Sequence, residues 1–469
     1  MPAPDLAASA NPSATNLQIK LLVAVLACCA LNASAAPSVF PTGTTRYDPA
    51  RAFNSYVLFT GGDNVARLID MNGNPVRQWP DAAAHSSAID PVVNGGQLGH
   101  VFVTLSTASG AGTDLVPGRV NARISHAVGE LDWDGKTVWQ FGDQAPGGHA
   151  QQHHDWARLP NGNTVLLANL AHAVPGFKQP KVLDDVIYEV DRAGAVVWRW
   201  VASEHLDEFG FTPQELALIK NADTADYLHL NNMKVLGPNR WFDAGDQRFH
   251  PDNLMVDSRD ANVIAIIDKR SGKVVWTLGP RFAATPPAGA ARKLPRPVDQ
   301  ISGQHDAHLI PPGLPGAGNL LVFDNQGEAG YPRAALTVTG GSRVLEIDPV
   351  RKEIVWQYTA DDSGGPGWSF RSTHISNARR LPNGNTFIDE GQFGRFFQVT
   401  PKGEIVWEYV NPYPRRTKSA AGGAEVVNYQ SYRAQPVPYA WVPAATPRTE
   451  LAVGATEPSQ FHIQPAARQ

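Results

Sequence analysis

Four of the 14 histidines begin similar stretches of sequence, and imidazole is the side chain best suited to nucleophilic and proton-transfer chemistry near neutral pH. They are His154, His229, His305 and His374. The distance from the histidine to the last apolar residue before the next turn is five residues in the stretches of His154 and His305 and seven in the other two. Because these distances differ by two, an extended chain would place all four imidazoles on one face. Four histidines at matching positions predict a functional site rather than four separate structural hydrogen bonds.

A repeated hairpin provides the frame that would bring these histidines together. A short apolar strand, an acidic or polar turn, two apolar residues and a tryptophan recur along the chain, ending at Trp79, Trp139, Trp198, Trp276, Trp356 and Trp407. An earlier hairpin with an Asn-Gly turn precedes several copies, as at Asn161-Gly162 and Asn383-Gly384, which gives four strands per repeat. This organisation predicts an all-β fold, a six-bladed β-propeller with short helical and loop insertions.

The propeller would position the histidines at its centre, because the innermost strand of each blade lines the central channel. We expect the repeated tryptophans and Asn-Gly turns to be architectural. Asp155 and Asp306 directly follow two of the histidines and could orient their rings or cap strand ends; we expect the latter. Trp156 and Trp368 could contact a ligand at the mouth of the channel or simply pack within blades. A short helix is predicted after Thr212, which has the sequence of a helix cap.

The composition narrows the classes of partner. The chain has 469 residues, 40 Lys and Arg against 44 Asp and Glu, and a net charge of −4. Without an excess of basic residues, nucleic-acid binding is disfavoured. The hydrophobic fraction of 42% allows a large core and argues against a disordered chain.

The first 36 residues have the pattern of an export signal. Lys20 precedes an apolar run over residues 21–31, and small residues around Ala35 form a cleavage site. A lipobox ending at Cys28 is the alternative interpretation of this segment. Both cysteines lie within it, so the mature protein would have neither disulfides nor thiolate chemistry. We expect a periplasmic or secreted protein with a signal peptide over 1–36, a propeller over 37–442, a disordered tail over 443–469 and no membrane span.

Several short phrases occur in a fixed order over roughly residues 120 to 440: His229-Leu230-Asn231, Ser258-Arg259, Gln304-His305-Asp306, Phe323-Asp324-Asn325, Ser342-Arg343-Val344 and Pro382-Asn383-Gly384-Asn385. In these phrases the sequence resembles the bacterial arylsulfate sulfotransferases. The resemblance implies an exported six-bladed propeller that transfers sulfuryl groups without a nucleotide sulfate donor and without a cofactor. It implies small-molecule aryl sulfate and phenol substrates, and it is compatible with a homodimer.

The resemblance also implies roles for individual residues. His374 would be the nucleophile that becomes sulfated, and His229 and His305 would be binding and acid–base residues. Arg333 would clamp the sulfuryl group, with Arg259 and Arg343 as rival clamps. His154 and Asn325 complete the expected substrate-binding set. The sequence departs from the family pattern after Asn325, where Gln326-Gly327 follows and Arg333 comes several residues later.

Two other classes of function remain open at the level of sequence. The same histidines could hold a divalent metal in a hydrolase, since three imidazoles and an open position make a catalytic site. The chain could also be a non-catalytic propeller that binds a partner. A quinone-dependent dehydrogenase is less compatible, because six tryptophan hairpins indicate six blades.

Overall fold

The computed structural model describes residues 42–80, 82, 85–107, 125–279, 301–331, 334–335, 341–418 and 425–455. They form a six-bladed β-propeller, which confirms the predicted fold. The export segment over 1–36 and the predicted clamp Arg333 lie outside these described residues.

The strands are numbered along the chain. Before the first blade comes β1 (Gly43–Tyr47). Blade 1 contains β2 (Tyr56–Thr60), β3 (Ala66–Ile69) and β4 (Pro75–Trp79). Blade 2 contains β5 (Ser86–Ala88), β6 (Val101–Thr107), β7 (Ser125–Leu131) and β8 (Thr137–Phe141). Blade 3 contains β9 (Gln152–Arg158), β10 (Thr164–His172), β11 (Val182–Val190) and β12 (Val196–Val201). Blade 4 contains β13 (Leu230–Val235), β14 (Leu254–Ser258), β15 (Val263–Ile267) and β16 (Val274–Leu278).

The remaining strands complete the ring. Blade 5 contains β17 (His305–Leu309), β18 (Leu320–Asp324), β21 (Arg343–Asp348) and β22 (Glu353–Tyr358), with a small hairpin of β19 (Glu328–Ala329) and β20 (Ala334–Ala335). Blade 6 contains β23 (Asn377–Arg380), β24 (Thr386–Glu390), β25 (Arg395–Val399) and β26 (Ile405–Val410). A hairpin of β27 (Arg415–Lys418) and β28 (Glu425–Asn428) follows, and β29 (Gln435–Val437) is the last strand.

Both ends of the described chain close the ring. The innermost strand of blade 1 is β29, which pairs with β2, so the C-terminal part of the chain completes the first blade. At the other end β1 pairs with β26 as the outermost strand of blade 6. The tail expected from residue 443 is described as far as Ala455, and Val453 forms a backbone bridge with Tyr47. Residues 443–455 therefore pack with the propeller.

The acidic turns of the repeat have a direct physical role. In the β7–β8 turn one carboxylate oxygen of Asp132 accepts hydrogen bonds from the backbone N–H groups of Asp134 (3.0 Å) and Lys136 (2.9 Å). Gly135 in this turn has φ +86°, a conformation that an L side chain rarely adopts. Asp70 and Asp191 make the same pair of bonds in their own hairpins, which explains why Asp recurs there.

Four of the six repeat tryptophans link neighbouring blades through their indole N–H groups. The indole N–H of Trp276 donates to the carbonyl of Pro349 (3.0 Å), and that of Trp407 donates to the carbonyl of Met71 (2.8 Å) across the ring closure. Trp79 and Trp356 make equivalent bonds. In blade 3 this bond is made by Trp200, at 2.9 Å from the carbonyl of Gly272, rather than by the predicted Trp198.

The six innermost strands β29, β5, β9, β13, β17 and β23 surround the central channel. The end where these strands begin is called the histidine end, because it holds His154, His229, His305 and His374; the end where they stop is called the far end. The predicted helix is present as α1 (Pro213–Lys220) in the connection before β13, and Thr212 and Glu215 form its capping box. A second helix, α2, spans Arg240–Asp243. No described helix is long and apolar enough to cross a membrane.

Candidate active site

His154 and His229 meet at the histidine end of the channel. Their ring centroids are 5.0 Å apart and their planes are nearly perpendicular. Both residues have left-handed backbone conformations, with φ +55° and +51°. Such values are unusual for large side chains and mark places where the surrounding structure imposes the conformation.

The convergence of the histidines has a different cause from the one that the sequence predicted. The two-residue alternation of an extended strand does not hold here, because the pairings of β9, β13 and β17 with their neighbours each contain a register shift. Left-handed residues also occur at Asp306 and at Ile375. The irregular starts of the inner strands, rather than a shared strand face, set the direction of the rings.

A carboxylate orients His229. Its Nδ1 lies 2.7 Å from Oδ2 of Asp226, a residue that the sequence analysis did not single out. Burial disfavours a charged ring, but Asp226 and then Asp260 outweigh it and raise the pKa of His229 above its ordinary value. This arrangement leaves Nε2 as the ring nitrogen that a ligand can reach and favours the protonated form.

The surroundings of His154 favour its neutral form instead. Its Nδ1 lies 2.7 Å from Nδ1 of His153, whose Nε2 is 3.3 Å from a carboxylate oxygen of Asp185. Burial and then the neighbouring His153 and His229 lower the pKa of His154 well below its ordinary value. A neutral and a protonatable imidazole therefore lie side by side, the pattern by which proteins separate acid and base roles.

Both ring nitrogens of His305 are bound by the protein. Nδ1 lies 2.8 Å from Oδ1 of Asn325 and 3.0 Å from the carbonyl oxygen of Gly303, and Nε2 accepts the backbone N–H of Ile375 at 3.0 Å. Burial and the charge of Arg259 lower the pKa of His305 well below its ordinary value. In this geometry proton exchange with a substrate would require the loss of the Ile375 bond, so the contacts favour a positioning role over the expected acid–base role.

His374 lies in the connection that precedes β23. The side-chain amide N–H of Gln430 lies 3.1 Å from Nε2 of His374, and Oγ1 of Thr373 lies 3.4 Å from Nδ1. The next residue, Ile375, is the one that donates to His305. Asn325 binds the same connection, because its amide N–H groups donate to the carbonyls of Ser372 (2.7 Å) and Ile375 (2.9 Å). His305 and Asn325 thus fix the backbone on either side of His374.

The described candidate arginines differ in their surroundings. Arg259 follows β14, its backbone N–H donates to the carbonyl of His229 (3.2 Å), and its guanidinium is close enough to lower the pKa of His305. The guanidinium donates to Asp260 at 2.7 Å. Arg343 is almost fully buried on β21, and its Nε donates to Asp324 at 2.6 Å. Of these two residues, Arg259 is the one that the structure places with the histidines.

A layer of charges separates the histidine end from the far end. Arg433 donates to Asp155 (2.5 Å) and lies 3.3 Å from Asp306, and Lys234 donates to Asp155 at 2.8 Å. Arg379 makes a two-pronged contact with Asp306. The expectation that Asp155 and Asp306 cap strand ends is therefore incomplete, because their main partners are these three cations. Arg433 was missed because it belongs to no repeat.

The two predicted aromatic candidates, Trp156 and Trp368, lie in different surroundings. Trp156 is buried and stacks on Phe102 with ring centroids 3.9 Å apart, which is packing between blade 3 and blade 2. Trp368 is 74% exposed in the connection before His374. The aromatic ring beside the histidines is instead that of Tyr432, 5.4 Å from His154. In the described part of the chain, no group of three or more His, Cys, Asp and Glu side chains has an arrangement that could hold a metal ion.

A β-propeller with an oriented histidine cluster at one end of its channel defines an enzyme-like architecture, and sequence comparison supplies the family. The family model Arylsulfotransferase (ASST) matches residues 67–432, which is most of the chain. The chain therefore belongs to the arylsulfotransferase family. A comparison with curated protein sequences finds no match.

Solved structures share the architecture only loosely. A protein of unknown function from Bacteroides caccae is 12% identical with a TM-score of 0.43, covering 76% of this chain and 94% of its own. Streptogramin B lyase is 13% identical with a TM-score of 0.37, covering 86% and 96% respectively. Similarities at this level carry no argument about the chemistry of this chain.

Proposed function

We propose that this protein moves a sulfuryl group from an aryl sulfate to a phenol and that His374 carries the group between the two half-reactions. Membership of the arylsulfotransferase family supports aryl sulfotransferase activity in general. The observation that carries the finer proposal is the cluster of His154, His229 and Arg259 beside a connection in which His305 and Asn325 fix the backbone around His374.

In the first half-reaction a ring nitrogen of His374 attacks the sulfur of the aryl sulfate. The N–S bond forms while the bond from sulfur to the aryl oxygen breaks, and the departing phenolate takes a proton from His229. In the second, an acceptor phenol returns a proton to His229, its oxygen attacks the sulfur, and the N–S bond breaks. No external proton source is required over the whole cycle.

The electrostatics of the site suit this sequence of steps. Asp226 favours the protonated form of His229, which is the form that delivers a proton to a leaving oxygen. Arg259 supplies a fixed positive charge near the histidines, where the negative charge of the sulfuryl oxygens would lie. His305 stays neutral and holds Ile375, so its role in this proposal is to position His374 rather than to exchange protons. Arg333 remains a predicted clamp.

Steady-state assays with 4-nitrophenyl sulfate as donor and a phenol as acceptor test the proposal. We expect His374→Asn to lose transfer to background and His229→Asn to lose about 100-fold, the usual contribution of a positioned proton donor. His250→Asn is the matched control, because His250 is a surface residue on the α2 side of blade 4. Transfer at the normal rate by folded His374→Asn would refute the assignment of the nucleophile.

We also propose that the chain is exported to the periplasm or beyond and that cleavage follows Ala35 or Ala36. Lys20 and the apolar run over residues 21–31 support this proposal. The N-terminus of protein isolated from cell fractions tests it. A mature N-terminus near Pro37 is expected, whereas a chain that keeps residues 1–36 in the cytosol, or that begins with a lipidated Cys28, would contradict it.

A further inference from the structure

Two adjoining cavities open beyond the charged layer, at the far end of the channel. The larger has a volume of about 570 Å³ and the smaller about 220 Å³. Lys234, Arg379 and Gln435 border both cavities, and all three belong to inner strands. The larger one also borders the segments with which β13, β17 and β23 end, and neither is lined by any of the four histidines of the proposed active site.

The larger cavity has an apolar body and a cationic wall. Its apolar lining comes mostly from leucine and proline side chains, namely Leu236, Leu309, Pro311, Leu314, Leu381 and Pro436. Lys234, Arg379 and Arg380 supply the charged part of the wall. A concave apolar space of this volume with a few convergent polar groups is the usual form of a small-molecule site.

The buried charges of the layer that borders the two cavities do not balance. Lys234, Arg379 and Arg433 carry three positive charges and face the two carboxylates Asp155 and Asp306, which leaves an excess of one positive charge. The other two arginines on the walls are already paired, Arg158 with Glu130 and Arg380 with Glu346. The exposed carboxylate of Asp90 lies at the wall of the smaller cavity, where it caps a short turn by accepting the N–H of Val92.

The remaining buried carboxylates nearby do not compensate for this excess. Asp257 and Asp389 each accept a backbone N–H of the next blade, from Ala307 and Ala434, and burial raises the pKa of both well above the ordinary value. Burial also lowers the pKa of Lys234, as expected for a cation without full compensation. An anion placed between Lys234 and Arg379 would restore the balance.

The cavity walls also contain buried polar atoms without partners among the described residues. These atoms are Nε2 of His308, a residue that borders the larger cavity, and Nδ1 of His85, a residue that borders the smaller one; both residues are more than nine-tenths buried. Buried polar atoms in proteins are normally hydrogen-bonded, so these two nitrogens indicate a missing ligand or water.

We propose that the far end of the channel is a second binding site, specific for an organic anion whose oxyanion group lies against Lys234 and Arg379 and whose flat apolar body fills the larger cavity. The site is separate from the proposed active site, because Asp155, Asp306 and Arg433 lie between them. It does not depend on sulfuryl transfer.

Calorimetric titration with 1-naphthalenesulfonate tests this site, since its C–S bond makes it a non-transferable probe. We expect wild type to bind it and Lys234→Gln to bind about tenfold or more weakly at the far end, because a charge-assisted hydrogen bond is lost. Gln435→Trp fills the junction of the two cavities without removing any charge of the layer, and it should also abolish binding of the probe at the far end. Arg259→Gln, at the histidine end, should keep it.

The outcomes separate the second site from the active site. Binding that survives both Lys234→Gln and Gln435→Trp but is lost in Arg259→Gln would place the probe at the histidine end and overturn the proposal. No measurable binding, or equally tight binding of uncharged 1-naphthalenemethanol, would overturn it as well. Circular dichroism and melting curves establish that each variant is folded, and Gln435→Trp provides the test if Lys234→Gln is not. The result is the same whether or not the protein proves to be a sulfotransferase.

Discussion

His229 and His305 stand at the beginnings of neighbouring inner strands in blades 4 and 5, yet the protein surrounds their rings in opposite ways. Nδ1 of His229 meets the carboxylate of Asp226 at 2.7 Å, whereas Nδ1 of His305 meets the amide oxygen of Asn325 at 2.8 Å. The carboxylate helps to raise the pKa of His229, while burial and Arg259 lower that of His305. In the proposed mechanism, the partner of Nδ1, rather than the position in the repeat, is what separates the proton donor from the positioning residue.

The positive charge of Arg259 acts on the pKa of both His229 and His305. Its removal should have the largest effect on activity of the substitutions proposed for this comparison. We expect Arg259→Gln to lower kcat/KM for 4-nitrophenyl sulfate by about 100-fold or more, the usual cost of removing one donor to a developing oxyanion. Arg248→Gln is the control, because Arg248 pairs with Asp246 on the surface.

Substitution of the rival clamp, Arg343, should have a different effect. Arg343→Gln would remove the cation that pairs with the buried carboxylate of Asp324, so its main effect should be a lower melting temperature. Full activity in Arg259→Gln, together with loss of activity in a stably folded Arg343→Gln protein, would assign the clamp to Arg343 instead.

Removing the carboxylate of Asp226 should lower the pKa of His229 and so bring it closer to that of His305. We expect Asp226→Asn to lower transfer about tenfold near neutral pH, since an adjacent opposite charge shifts a pKa by about one unit or more. The required protonated form is lost as pH rises through the pKa of His229, so the alkaline limb of kcat/KM should move to lower pH. Asp223→Asn is the matched control, because Asp223 is exposed and pairs with Lys178. If the alkaline limb of kcat/KM lies at the same pH in Asp226→Asn as in the wild-type protein, His229 is ruled out as the proton donor.

The reverse change places a carboxylate at His305. Asn325→Asp should raise the pKa of His305, and protonation of Nε2 would then break its bond from Ile375. Activity should therefore acquire a new loss as pH falls through the raised pKa. Asn325→Ala, which removes the same amide without adding charge, should be less active at all pH values but show no new acidic limb. Identical pH profiles for the two variants would contradict the positioning role of His305.

The smallest expected effect is on the stability of the propeller blades that hold the two histidine rings in place. The indole N–H of Trp276 bonds to the next blade at 3.0 Å, whereas that of the similarly buried Trp139 has no partner among the described residues. Trp276→Phe should lower the free energy of unfolding by about 1 kcal/mol more than Trp139→Phe, the typical net contribution of one hydrogen bond. Urea unfolding measures both, and equal losses would show that the link between blades adds nothing.

The sequence predicted the frame well because the frame is repetitive. Five of the six hairpins carry an Asp turn, the sixth has Thr400 instead, and all six carry a tryptophan. Local patterns were therefore sufficient to count blades and to place the four histidines at or just before strand beginnings. Within this regularity, Trp200 replaced Trp198 as the link between blades, which the pattern alone could not show.

The partners of the histidines could not be predicted in the same way. Asp226 precedes His229 by three residues in an irregular connection, and its effect depends on the left-handed backbone of His229. Arg433 and Tyr432 reach the channel only because β29 closes the ring, a contact between opposite ends of the chain. Such long-range contacts leave no local pattern in the sequence.

The most direct test of the proposed function is mass spectrometry of the protein mixed with 4-nitrophenyl sulfate in the absence of an acceptor. We expect a sulfuryl adduct on the peptide that contains His374, absent in His374→Asn and discharged when a phenol is added. An adduct that persists in His374→Asn would move the nucleophile to another histidine, with His229 and His154 as the first to examine. Neither adduct nor release of 4-nitrophenol from the wild-type protein would contradict the two-step transfer altogether.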